Sequence, residues 1–313
     1  MVKNIYKYLK IYEDFGSKSL DLLRYIFSFL ALTFVIIELK QAIGLGHIET
    51  LKTQLTVHFE LVWLFGTFVF AFIHHWSDAK VWQSIIATKR KFPLLLALRM
   101  NWTSLAYSFY SPNRLLDIPS KVLLLEDMDR AFKWYAAGLY NVLKPSATFY
   151  IGLAALSLLL GYWWLTLGLV IVGPFVLLWI KDKLEKSEFL RDRISLEERV
   201  GDSLFLELLG LNLIRIVSLA LQHAGILFLL GFQFPVESLL MYLLIIHTVV
   251  TFLPQVAGTE IFVRSYLCFY FLELDSGHEL VLASSVLVLW TMNIMLPAVI
   301  GLFVQKKAGL KKD

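Results

Sequence analysis

Two proline-broken points in an otherwise apolar chain carry arginine and acidic side chains together. Around the first lie Pro112, Arg114, Asp117 and Lys121, and around the second Pro254, Glu260 and Arg264. A guanidinium presents a rigid fork of N–H donors that matches planar oxyanions, so this chemistry suits a phosphate. Glu260 and Arg264 are four residues apart, share a helix face and can pair. A self-contained structural ion pair is the competing reading there. Arg215 stands deeper, some eleven residues into the apolar stretch 204–232, about 16 Å at helical rise, with Asn212 three positions before it. A charge at mid-bilayer costs about 2.5–3.5 kcal/mol on insertion scales, so each such residue needs a partner, an aqueous cavity or a route to the interface. The candidate substrate-binding set is therefore Arg114, Asp117, Lys121, Arg215, Glu260 and Arg264, and their task is to receive an anion. None of them is nominated as catalytic.

Other chemistries have thinner support. Asp127-Met128-Asp129 has the Asp-x-Asp form with which glycosyltransferases hold a divalent metal on a nucleotide sugar, and paired carboxylates do suit such cations. Three-residue patterns arise easily by chance, and the 182–203 loop is too short for a nucleotide-binding domain. His74 and His75 are adjacent, so they face different sides of a helix and make a poor metal pair. His223 and His247 are isolated and read as packing residues. There is no phosphate-binding loop ending in Lys-Ser or Lys-Thr, no Cys/His cluster of zinc spacing and no Gly-x-Ser-x-Gly elbow. No cofactor and no metal is expected.

These side chains must be positioned by membrane helices. The chain has 313 residues, 58% hydrophobic and 17% charged, with a mean hydropathy of +0.67. Soluble domains run at about 45–50% apolar and about 25% charged. Disorder is excluded by the apolar content, and a disulfide scaffold by the single cysteine, Cys268. The formal charge of +4 points to basic cytoplasmic loops rather than to nucleic acid. A transmembrane helix needs about 20 mostly apolar residues. Full spans are predicted at 20–42, 60–77, 137–160, 162–181, 204–232 and 279–304. The stretches 93–126 and 236–272 are interrupted at Pro112 and Pro254, and proline removes a backbone donor.

With the N-terminus in the cytoplasm, 20 of the 29 Lys and Arg residues fall in cytoplasmic segments or at their edge, and only Lys52 falls outside. That balance requires each broken stretch to return to the side it left. The expected fold is an all-α polytopic membrane protein, six full spans plus two re-entrant broken helical hairpins from opposite faces. Residues 1–19 are expected to form a cytoplasmic amphipathic N-terminal segment without a cleavable signal, 20–304 a single transmembrane domain, and 305–313 a basic cytoplasmic tail. The cell membrane, with both termini cytoplasmic, is the expected location. Opposed broken helices mark the central site of many transporters. The plainer alternative makes Pro112 and Pro254 ordinary helix ends. Trp76, Trp134, Trp163, Trp164 and Trp179 read as the interfacial aromatic belt.

The two breaks resemble the transmembrane region of lysylphosphatidylglycerol synthases, a flippase-like family that also occurs without the synthase domain. That family carries Pro-Gly-Arg-x-Gly-Glu before an apolar helix; here the stretch is Pro112-Asn113-Arg114-Leu115-Leu116-Asp117, with both glycines replaced. The family's later Pro and Gly-Gly element reads here Pro254-Gln255-Val256-Ala257-Gly258-Thr259-Glu260, with Arg264 beyond. The last span, with Trp290 and Pro297, also looks like the family's final helix. Lys144-Pro145-Ser146 stands where relatives carry Glu-Arg and Asp. The resemblance covers about residues 15–305. It implies translocation of a phospholipid or polyisoprenoid-linked head group between leaflets, with an anionic lipid or lipid-linked head group as the partner. Arg114 and Arg264 would hold the phosphate, Asp117 and Glu260 would orient them, and Lys121 and Arg215 would complete the cavity.

Two rival classes stay open. One is a membrane-embedded glycosyl or lipid transferase using Asp127 and Asp129. The other is a non-catalytic scaffold for a lipid or envelope-glycan synthase, tolerant of substitution at Arg114. A homo-oligomer or a synthase partner fits either setting.

Overall fold

The computed structural model describes residues 61–109, 116–125, 128–185, 200–252, 259–272 and 279–307. Among them the chain is 89% helical and has no strand. The helices are α1 (Leu61–Ala87), α2 (Leu94–Ser108), α3 (Asp117–Leu124), α4 (Arg130–Leu159), α5 (Trp163–Glu185), α6 (Asp202–Leu229), α7 (Val236–Phe252), α8 (Thr259–Leu272), α9 (Glu279–Trp290) and α10 (Leu296–Lys307). A π-helical turn, Thr291–Met295, joins α9 to α10. Pro297 lies two residues beyond it, where a missing N–H and a crowding ring disturb the regular ladder.

Among the described residues, four segments are long and apolar enough to cross a membrane: Arg130–Leu159, Trp163–Lys183, Asp202–Leu229 and Glu279–Val304, with Val236–Phe252 as a shorter apolar helix. They fall on four of the six expected spans and suit a multi-pass membrane protein. The span expected at 60–77 is continued, because α1 runs unbroken to Ala87. Asp78, expected to open a cytoplasmic loop, is therefore a helix-interior residue. The expected span 20–42, the segment 1–19, Pro112, Arg114, Pro254, Asp127 and the tail from 308 lie outside the described residues.

Local chemistry explains the helix ends. Asp129 caps α4, its carboxylate accepting from the amides of Ala131 at 2.8 Å and Phe132 at 3.2 Å. Helices α4 and α6 finish by one device. Gly161 and Gly231 take φ of 78° and 79°. The next residue then donates back, Tyr162 to the Ser157 carbonyl at 2.8 Å and Phe232 to that of Leu227 at 3.0 Å. These Schellman turns reverse the chain within two residues.

Two apolar cores form. The first gathers the C-terminal half of α1, α2, the start of α4 and the start of α6 around Trp82, Phe132, Tyr140 and Leu208. The second gathers the end of α6 with α7, α8 and α9 around Leu227, Leu243, Cys268 and Val286. Helix α6 is the only helix whose buried residues enter both cores among those described. Small residues allow the closest approaches. Gly225 of α6 faces Thr67 of α1, and a methyl at Gly301 of α10 would overlap the Trp102 carbonyl of α2. Helix α5 is sheathed in exposed apolar groups, including Trp163, Trp164, Phe175 and Trp179, as a lipid-facing helix would be. Trp76 and Trp134 are exposed as well, so all five belt tryptophans reach the surface.

Candidate functional site

The charged centre lies between α1, α2, α3 and α4. Asp78 of α1 is its hub. Its Oδ1 is 2.7 Å from the Lys144 ammonium of α4. Its Oδ2 accepts from the Tyr140 hydroxyl of α4 at 2.7 Å and from the Asn101 amide of α2 at 3.0 Å. One carboxylate thus gathers donors from two other helices. Lys144 is the fifteenth residue of a 30-residue helix, so this pair sits at mid-length of an apolar span.

A second carboxylate adjoins it. Asp117, at the start of α3, pairs with Lys121 one turn later, and both meet the Ser104 hydroxyl of α2. Ser120 closes the group through Ser104 at 2.9 Å. Lys121 is 1% exposed. The two ammoniums flank one ring: Lys144 Nζ lies 4.3 Å and Lys121 Nζ 4.6 Å from the Tyr140 centroid. Cation–π attraction of that kind is worth about 2 kcal/mol where water is excluded.

Arg215 of α6 completes the region. Lys144, Arg215 and Lys121 all act electrostatically on Asp78. Arg215 Nε donates to Asn212 Oδ1 at 3.3 Å, and an Nη donates to Thr148 Oγ1 of α4 at 3.4 Å. Its backbone carbonyl lies 3.1 Å from His74 Nδ1 of α1. Neither contact of the guanidinium is with a carboxylate. Among the described residues, three cations here face two carboxylates.

The expected pair Glu260–Arg264 is formed on α8, at 2.5 Å. Around it lie His223 of α6, His247 of α7 and Cys268, each felt by the Arg264 charge. The two imidazoles are 5.5 Å apart, centroid to centroid. His223 Nε2 meets the Ser285 hydroxyl of α9 at 3.2 Å, while both nitrogens of His247 have no hydrogen-bond partner among the described residues.

Of the six expected site residues, Asp117, Lys121 and Arg215 are brought into one region. Glu260 and Arg264 form a second, and Arg114 lies outside the described residues. The sequence reading missed Asp78, Lys144, Tyr140, Asn101, Ser104 and Thr148. Lys144 and Asp78 did carry a signal, the first as a basic residue inside the span expected at 137–160 and the second as a charge just past the span expected to end at 77. His74 and His75 serve different neighbours, as their adjacency implied: one reaches the Arg215 backbone and the other the Met292 backbone. Asp129, besides capping α4, pairs with Lys89 at 2.6 Å. No group of three His, Cys, Asp or Glu suited to a metal occurs among the described residues. No family model matches this chain, and no curated protein does either.

Proposed function

We propose that the chain is a flippase-like membrane protein that moves an anionic lipid or lipid-linked head group between leaflets. One observation carries this reading: ionisable groups of α1 and α3 meet Lys144 and Arg215, the mid-length residues of the apolar spans α4 and α6, with cations in excess among the described residues. Ionisable groups inside a bilayer are expensive and mark substrate or ion pathways by default. Six spans with re-entrant hairpins at 93–126 and 236–272 belong to the same proposal. Its support is that α2 and α3 pack together, as do α7 and α8. The transferase reading gains nothing from Asp129, whose oxygens are occupied as a helix cap and by Lys89.

The test is translocation of a fluorescent anionic phospholipid in proteoliposomes, scored by quenching of the outer leaflet. Wild-type protein should accelerate leaflet exchange over empty vesicles. Arg114→Ala should abolish the acceleration while inserting normally. Unchanged exchange in Arg114→Ala would remove that residue from the path, and no acceleration by wild-type protein would sink the transport reading.

A further inference from the structure

Among the described residues, four cations on the apolar helices are each matched by a carboxylate, and the half-buried Arg215 is not. Lys121 has Asp117, Lys144 has Asp78, Lys181 has Asp202 and Arg264 has Glu260. Arg215 has only the neutral oxygens of Asn212 and Thr148, at 3.3 and 3.4 Å, among the described residues. Both contacts are at the long end of the hydrogen-bond range, so the fork is held loosely. Its place is also singular. Arg215 is the fourteenth residue of the 28-residue α6, between the core that ends at Leu211 and the one that begins at Ala220. It thus lies at the seam of the two cores, roughly 20 Å from either helix end.

We infer that Arg215 is the anion-receiving residue, and that its ligand is one singly charged oxyanion, which also takes the Asn212 amide N–H not given to Leu208 and the Thr148 hydroxyl proton once it turns from the Lys144 carbonyl. This rests on the transport reading above and sharpens it. The charge count sets the class. Among the described residues two ion pairs are internally neutral, so one positive charge remains to be answered in a medium where an unanswered charge is costly. A phosphodiester meets that need with one negative charge. A phosphomonoester near pH 8 carries close to two, because its second proton leaves near pH 6, and would bring a surplus charge into the seam. Thr148 faces Arg215 from α4, so the anion would bridge α4 and α6. Arg264 is excluded from this role because Glu260 already holds it on its own helix.

The test is binding, kept apart from transport. Purified full-length protein in uncharged detergent is titrated at pH 8 with dioctanoyl phosphatidylglycerol, dioctanoyl phosphatidic acid, dioctanoylglycerol and dimethyl phosphate, and thermal unfolding is followed. The diester lipid should give a saturable rise in Tm, the monoester a weaker one and the uncharged lipid none. Dimethyl phosphate separates the sources. A rise equal to that of the lipid assigns the seam to free anions, and none assigns it to a head group; either supports the oxyanion site. Arg215→Gln should weaken the diester about tenfold or more, since a charged hydrogen bond is lost. Arg215→Lys should recover part of that, and Lys89→Gln, at the surface pair with Asp129, should bind as wild type. Should Arg215→Gln not fold, Thr148→Val carries the test with a smaller loss. Equal binding by wild type and Arg215→Gln, or by wild type and Thr148→Val where that variant stands in, overturns the assignment. So does preference for the monoester, or no response to any phosphate. Binding that depends on Arg215 without leaflet exchange would keep the site and discard transport.

Discussion

The two buried polar regions flanking α6 solve the same problem in opposite ways. Around Asp78, charge is neutralised between helices: its carboxylate on α1 holds Lys144 and Tyr140 on α4 and Asn101 on α2. Around Arg264, charge is neutralised within one turn of α8, by Glu260 four residues earlier. The imidazoles beside Arg264 keep free nitrogens, three of the four having no partner among the described residues. An inter-helix pair locks helices to one another and cannot open without exposing charge. An intra-helix pair travels with its helix, so α8 can shift against its neighbours without unpairing anything. The contrast assigns the static role to the α1–α4 region and leaves the mobile role to α8.

Breaking the inter-helix lock should give the largest effect. Asp78→Asn leaves Lys144 buried without a counter-charge, and removing one partner of a buried pair costs about 3–5 kcal/mol. Both groups are well covered, at 14% and 25% side-chain exposure, so solvent relieves little of this. The expected outcome is a fall of several degrees in Tm in detergent. Lys144→Met placed on that background should recover most of it, because the orphaned charge is then gone. A Tm within a degree of wild type for Asp78→Asn would show that the lock does not hold the fold.

Glu260→Gln sharpens the other side. Arg264 keeps a neutral acceptor at the same place, so the loss should be closer to that of one charged hydrogen bond, about 1.5–3 kcal/mol. The fall in Tm should be clearly smaller than for Asp78→Asn. Hydrogen–deuterium exchange should rise in α8 and leave α1 and α4 unchanged. Exchange rising in α1 as well would erase the distinction between the two regions.

This difference also explains what the sequence disclosed. A pair at i and i+4 needs only helical periodicity, so Glu260–Arg264 was readable, as were four long apolar spans. Asp78 and Lys144 are 66 residues apart, and nothing local ties them. Asp78 follows His74, His75 and Ser77, a polar run that resembles a helix leaving the membrane. Only packing shows that α1 continues to Ala87 and turns Asp78 inward. Arg215 was visible by depth alone, but its want of a carboxylate among the described residues emerges only from the packing of α4 against α6.

The smallest expected effect comes from an ion pair that joins the same part of the molecule in water. Lys89 follows α1 and Asp129 precedes α4, so their 2.6 Å contact resembles Asp78–Lys144 moved to the surface. Partial burial pushes the Asp129 carboxyl up. The Lys89 ammonium and the amides of Phe132 and Ala131 outweigh that and hold it below the usual carboxylate range. A carboxyl whose folded-state pKa is lowered stabilises the fold fully above its unfolded value, near 4, and loses that contribution as pH falls through the folded value. Asp129→Ala should therefore cost about 1 kcal/mol at pH 7, nearly all of it the helix cap, because an exposed ion pair adds a few tenths at most. Asp129→Asn keeps the cap and loses only the pair, so at pH 7 it should sit within a few tenths of wild type. Raising salt to 1 M should close even that gap, since the pair is screened in water. The Asp78→Asn deficit should persist in the same salt, because its charges are sheltered. Equal salt sensitivity of the two deficits would mean that Asp78 and Lys144 meet in solvent, and the inter-helix lock would lose its physical basis.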